Sequence, residues 1–428
     1  MAAKINPKDE WDQLMKQQNS GKLSDLLAII LPGFLVAATG VGAGDLATAS
    51  LSGSLLGVAI LWAVVAGGFM KFILTEGLAR WQLATGQTFL EGVAYRLGKI
   101  IGWLFLPYLL LWSFFVGSAL MGACGITLHA MIPIFKVAAN GKLFFGILSS
   151  LLGLGLVLAG GFGLFEKVMG ICVGIMVFTV VLTAALVWPG TQEVMAGLFI
   201  PTIPDFQGSG IPWTIALIGG VGGTLTILCY GYWIREKGRT GPEAIQTCRI
   251  DLAVGYIMTV LFGLAMVIIG STIKVEGQGA GLLAILADRL QEPLGLLGRW
   301  LFLIGAFSAV FSSLLGVWQS VPYLFADIWT LFVKQTDADV SRDLTKILPY
   351  RLYLWAMAFF PMIGLFMSFK EVQKLYSIIG AAFIPLLAVA LLILNGNRTW
   401  VGDHVNRPIT IIMLLATLAF FGILGWMA

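Results

Sequence analysis

Charge is what this sequence most lacks. Only 11% of its 428 residues are Asp, Glu, Lys or Arg, against 58% hydrophobic, and mean hydropathy reaches +0.93. Soluble domains are about 25% charged, so most of this surface must face lipid. Cysteine is scarce too: Cys124, Cys172, Cys229 and Cys248 show neither CxxC spacing nor paired external positions. They read as free thiols, which argues against a disulfide framework or a zinc site. No basic domain stands clear of the apolar runs, so nucleic acid is not expected as a partner. No nucleophile–base–acid set is recognisable inside them either, so the chain does not read as an enzyme and implies no cofactor. The N-terminal stretch lacks both the apolar run and the cleavage site of a signal peptide. It reads as a cytosolic tail, residues 1–22, whose Trp11 and Leu14 touch the membrane interface.

Apolar length is what the sequence has instead. At about 20 residues per span, the runs mark eleven helices, near 26–57, 58–81, 100–132, 142–161, 164–188, 212–236, 251–274, 296–325, 348–368, 371–395 and 407–427. The expected fold class is all-α integral membrane, with five-helix units at 23–190 and 191–395 and an eleventh helix in 396–428. With the tail inside, eighteen of the 26 lysines and arginines fall on inner segments and seven on outer ones, with Lys71 inside a span. The positive-inside rule then places the N-terminus in the cytoplasm of a multi-pass cell-membrane protein. The economical task for such a chain is moving a small solute across the bilayer.

Two spans are interrupted. The first carries Gly40-Val41-Gly42-Ala43-Gly44-Asp45; the sixth carries Gly219-Gly220-Val221-Gly222-Gly223, then Thr224, Thr226 and Cys229. The interruptions hold corresponding places in two five-helix halves of opposite orientation. Such paired breaks point to a transporter built from inverted repeats, with its substrate site where the helices unwind. Close packing through small residues is the competing use of these glycines, but a Gly-x-Gly-x-Gly run ending in an acid is unlike a packing stripe.

Few ionisable groups lie within the spans. They are Asp45, Lys71 and Glu76, with His129 near the outer end of the third span. Asp45 follows the first interruption, where it could bind a cation beside exposed carbonyls or cap the second half-helix. Glu76 stands four before Arg80, a favourable helical pair. Lys71 needs a partner from another helix, and the sequence does not name one. His129 reads as an interfacial side chain. Tyr230 and Tyr232 follow the second interruption and could gate a site, stack on an organic cation or join an inner aromatic belt. Ser308, Ser312 and Ser313 recur at helical spacing, suited to lining a pathway or, more commonly, to interhelical hydrogen bonds. The substrate-binding set expected from these positions is Gly42, Asp45, Thr226, Cys229 and Tyr230. Thr39, Thr48, Tyr232, Ser308 and Ser312 are the expected pathway and gating residues.

The order of motifs resembles a known family. Pro32-Gly33-Phe34-Leu35-Val36-Ala37, then Gly42-Ala43-Gly44-Asp45 and Ala47-Thr48, is similar to the first helix of the NRAMP divalent-metal transporters. Leu78-Ala79-Arg80-Trp81-Gln82-Leu83-Ala84-Thr85-Gly86 resembles the end of their second helix. Phe307-Ser308-Ala309 through Ser312-Ser313 and Gly316 resembles the eighth, and Gly402-Asp403-His404-Val405-Asn406-Arg407-Pro408 the motif before the eleventh. The resemblance spans nearly the whole chain and implies a LeuT-like fold. It also implies a metal site that is altered here. In the family's Asp-Pro-Gly-Asn frame this chain reads Gly42-Ala43-Gly44-Asp45, with glycine at the metal-binding aspartate. The Met-Pro-His motif of the sixth helix falls on Thr226-Ile227-Leu228, the third-helix acidic pair on Gly117 and Leu120, and the tenth-helix glutamine on Ile378.

Two functions follow as expectations. One is a carrier of a small cation or divalent metal, with Asp45 as the one carboxylate ligand and a hard ion such as magnesium suited to an all-oxygen site. The other is an organic-solute carrier for an amine or amino acid; a non-transporting scaffold or sensor ranks behind both. Eleven spans and the basic-residue bias put the termini on opposite sides of the membrane. Single cysteines placed at each end should therefore react with an impermeant thiol reagent from opposite faces of sealed vesicles. Labelling of both ends from one face would mean a miscounted span.

Overall fold

The computed structural model describes residues 33–427 apart from 34, 37, 273–281 and 334–343; the expected cytosolic tail, with Trp11 and Leu14, lies outside the described residues. Every regular element among the described residues is helical. Helix α1 (Ala49–Leu56) continues a π-helical stretch, Val41–Thr48. It stops at Gly57, whose φ of 67° turns the chain into α2 (Leu61–Thr85), so the boundary expected between 57 and 58 is a glycine turn. A capping box then starts α3 (Phe89–Arg96): Thr88 accepts from the Glu91 backbone and Glu91 accepts from that of Thr88. Helices α4 (Lys99–Met131), α5 (Ala138–Leu186) and α6 (Thr191–Phe199) follow. At 49 residues α5 would be roughly 74 Å long if straight. It accordingly contains two membrane-length spans, Ala138–Ala159 and Phe162–Leu186.

Ahead of the next helix, Asp205, at a φ of 51°, accepts from the Ser209 backbone and hydroxyl at 2.7 and 3.0 Å. Those two bonds hold its carboxyl below the usual range. Then come α7 (Gly210–Gly220), α8 (Cys229–Glu236), α9 (Ile245–Ser271), α10 (Leu282–Ile328), α11 (Leu348–Phe359), α12 (Phe369–Leu394) and α13 (Pro408–Met427). Gly295, at a φ of 66°, breaks α10 next to the expected start of the eighth span.

Eight helices among the described residues are long and apolar enough to cross a membrane, or nine with a bent pair, against the eleven spans expected. The shortfall has local causes. The first half of the first span lies largely outside the described residues, and the rest runs with the second span as one stretch, Asp45–Thr85. Pro361 removes a helical donor in the expected ninth span, and Phe360–Phe366 tightens to a 3-10 helix, so neither piece is membrane-length alone. The eleventh is counted only with the short helix before it, across a bend of 117°.

Burial orders the layers. In the apolar 18-residue stretch of each span, 94% of residues are buried in α7–α8 and 78% in Gly295–Val333, against 33% in Ile100–Met131. The interrupted sixth span is therefore at the centre, with α4 and α5 turning side chains such as Ile171 and Phe178 outward. Helix α2 braces this centre. Its Glu76 meets Arg80 at 3.2 Å as the spacing predicts, and also takes Arg249 of α9 at 2.7 Å. Arg80 goes on to the His404 carbonyl at 2.7 Å and Asn406 at 2.9 Å. Asn395, after α12, donates to the Gly77 carbonyl at 2.7 Å. His129 packs against Gly141 and Phe135.

Candidate functional site

The sixth span opens at its glycines. Helix α7 ends at Gly220; Val221 turns to a ψ of 126°, and Gly222 and Gly223 take φ values of 73° and 82°. Side chains rarely adopt that region, so only glycine fits here without strain. A 3-10 turn, Leu225–Leu228, then leads into α8. The opening strands carbonyls that an intact helix would satisfy. Lys71 of α2, 1% exposed, meets them: its Nζ donates to Gly219 O at 2.8 Å, Val221 O at 2.6 Å and Gly223 O. An ammonium has three donors, and all three are used. The partner that the sequence could not name is the backbone of the sixth span.

Asp45 approaches the same turn from the first span and is fully buried. Its Oδ2 accepts from the Gly222 backbone at 3.1 Å; its Oδ1 has no hydrogen-bond partner among the described residues. Oδ1 faces Gly263 of α9, where an added Cβ would stand 3.3 Å away. No side chain caps either segment of the first span, so Asp45 does not cap its own half-helix. It caps the opening in the opposite repeat. The Asp45 and Lys71 charges interact across this turn.

The first interruption takes a different form from the second. The helix widens into the π-helical stretch Val41–Thr48 rather than unwinding, and Gly40 and Gly42 keep negative φ. Ser313 of α10 fills the place of a helical bond: Gly42 N donates to its Oγ at 2.6 Å, and that hydroxyl donates to Ala38 O at 2.6 Å. The two interruptions do face one another. A Cβ on Gly40 would lie 2.5 Å from the Gly222 carbonyl carbon and 2.7 Å from the Gly223 nitrogen.

Of the expected binding residues, Gly42, Asp45 and Thr226 gather here; Thr226 Oγ1 lies against Gly223. Cys229 is buried against Ser320 of α10. Tyr230 turns away, donating to Asp251 at 2.8 Å, which also takes Arg239 at 2.8 Å and the Gly33 backbone. Tyr232 donates to Asp327 at 2.6 Å and stacks on Tyr323. Both tyrosine hydroxyls thus join networks centred on Asp251 and Asp327 rather than the opening. Among the expected pathway residues, Thr39 is buried against Gly316. Thr48 meets Gln373 at 2.8 Å and Ser377 at 2.9 Å. Ser308 is buried in α10, and Ser312 bonds its own helix at Ala309 O, 2.9 Å away.

The register drawn from the resemblance needs one correction. Ile378, aligned with the tenth-helix glutamine, is 38% exposed and faces outward, whereas Gln373 and Ser377 are fully buried on Thr48. Leu120 does approach Gly42, with an apolar group where the family has an acid. Gln373, Ser377 and Trp112, which donates to Thr224 at 2.8 Å, escape sequence reasoning because single polar residues in apolar helices carry no spacing signal. Ser313 is the interhelical serine of its cluster. Replacing it by alanine strands a buried donor and acceptor, for which about 1–3 kcal/mol of destabilisation is expected. Ser312→Ala, which removes only a bond within its own helix, is expected to cost less than Ser313→Ala. Equal melting losses for the two variants would contradict the bridge.

Comparison with known proteins agrees with this architecture. Residues 33–428 match the Nramp family, described as natural resistance-associated macrophage protein-like. The divalent metal cation transporter MntH of Aeromonas hydrophila is 23% identical over 406 residues, covering 90% of this chain and 91% of the relative. That of Mycobacterium leprae is 21% identical, covering 93% and 91%. A mutant of the Eremococcus coleocola manganese transporter superposes with a TM-score of 0.71 at 15% identity, over 94% of this chain and 86% of that one. MhsT in complex with L-phenylalanine superposes with a TM-score of 0.60 at 15% identity, over 94% and 98%. The fold is thus LeuT-like, and the chain belongs to the Nramp family of multi-pass membrane transporters.

Proposed function

We propose that this protein carries a small cation, a divalent metal, across the cell membrane by alternating access, with Asp45 as its central anionic ligand. The observation that carries the reading is the free Oδ1 of Asp45, fully buried where the first span meets the sixth-span opening. Family membership and the MntH relatives support metal as the cargo. The donor set supports a hard one. No group of three or more His, Cys, Asp or Glu side chains comes together among the described residues. Besides the Lys71 amine, what lies near Asp45 is backbone and aromatic hydroxyl: Gly222, Tyr256 and Tyr376. Soft ligands select transition metals, while magnesium keeps most of its waters and takes one or two carboxylates. A hydrated hard cation suits these groups best. Ion pairs near the far end of α8, Arg239–Asp251 and Arg235–Glu91, would have to part for the cargo to leave on that side.

A second reading, an amine or amino-acid carrier, has one observation in its favour. Lys71 brings an amine to the centre, whose cationic form leaves the site neutral with Asp45 and weakens its attraction for a dication. Uptake into proteoliposomes separates the two. Under the metal reading, magnesium or manganese enters with the native protein, and Asp45→Asn lowers uptake at least about tenfold, as losing a charged ligand worth roughly 1.5–3 kcal/mol requires. Unchanged metal uptake by a folded Asp45→Asn variant would contradict the assignment, and uptake of amino acids without metals would select the second reading.

A further inference from the structure

The Lys71 ammonium is bound in the manner of a ligand. In an intact helix the carbonyls of residues 219, 221 and 223 point along the axis and are spread around it. Here they converge on one nitrogen because Val221 extends the chain and Gly222 and Gly223 turn it back with positive φ. A lysine that merely neutralised the end of α7 would need no such wrapping; the C-terminal dipole attracts a cation placed anywhere beside the last turn. The carboxylate of Asp45 completes the surroundings through the Gly222 N–H and its own charge. Three carbonyl oxygens and an acid around a dry, compact cation make a monovalent-cation site whose occupant is tethered.

We propose that Lys71 is the built-in occupant of a monovalent-cation site at the sixth-span opening. Removing its ammonium turns the opening into a site that binds a free one, of the class of ammonium, short alkylammonium or potassium. The native protein keeps its centre assembled with no such ion bound. This goes beyond the identity of the cargo, since it concerns what holds the opening in shape.

The test compares native protein, Lys71→Ala and Lys71→Met, extracted from membranes and melted in choline, sodium, potassium, ammonium or ethylammonium chloride at one ionic strength. Native protein is expected to melt at the same temperature in all five. Lys71→Ala should melt several degrees lower in choline and regain most of the loss in ammonium, ethylammonium or potassium, with a saturable dependence on concentration. Lys71→Met, whose thioether chain takes the space of the lysine methylenes, should regain stability with ammonium but not with ethylammonium. Equal melting of Lys71→Ala in every salt overturns the proposal, as does equal recovery in choline. Should the alanine variant leave the membrane intact only in particular salts, monodisperse recovery replaces melting as the readout; aggregation in all five also overturns it. No cargo is present, so failure here and failure of metal uptake are read separately.

Discussion

A lysine ammonium held by the backbone of a broken helix is the interaction on which this structure turns. The sixth span is the most buried of the membrane-length helices among the described residues, and it is interrupted halfway. In a bilayer no water reaches such an interruption unless a cavity admits it, and each unsatisfied carbonyl costs several kcal/mol. Lys71 meets three of them, and Asp45 takes the Gly222 N–H. Each charge would be costly to bury alone. Together, with backbone dipoles around them, they let the chain leave its helical path at the point where a transporter needs it to.

Helix α2 is the scaffold that delivers this lysine. Within about three turns of Lys71 it also holds Thr75 to Tyr256 at 2.6 Å and Gln82 to the Gly231 carbonyl at 2.7 Å. Lys71 thus fixes the end of α7 while Gln82 fixes α8, so one rigid rod grips both sides of the opening. At the same end, Glu76 and Arg80 tie in α9 and the segment before α13. Rearrangement of the sixth span would therefore have to involve α2, or break its contacts.

Apolar run length made the membrane class and most span limits legible in the sequence, because lipid leaves helices few alternatives. Gly222 and Gly223 marked the sixth-span opening because glycine takes without strain the positive φ that the turn requires. The first interruption was harder to read. Gly40, Gly42 and Gly44 suggest unwinding, yet Ser313, 271 residues away from Gly42, supplies the bridge that keeps the chain helical. Tyr230 and Tyr232 look like site aromatics by position, but Asp251 and Asp327 draw them elsewhere. Long-range partners decide such cases, and no local pattern encodes them. Lys71 was conspicuous from its cost; its role depended on where three carbonyls converge.

A double-mutant cycle on unfolding free energy, with Asp45→Asn, Lys71→Met and the pair, tests the central claim most directly. Each single change leaves an uncompensated charge in a dry centre, whereas the double change removes both. The double variant should therefore lose less stability than the two singles summed, with a coupling of about 1–3 kcal/mol. Additive losses would show that the two residues act independently, and that the opening of the sixth span is held by something other than this pair.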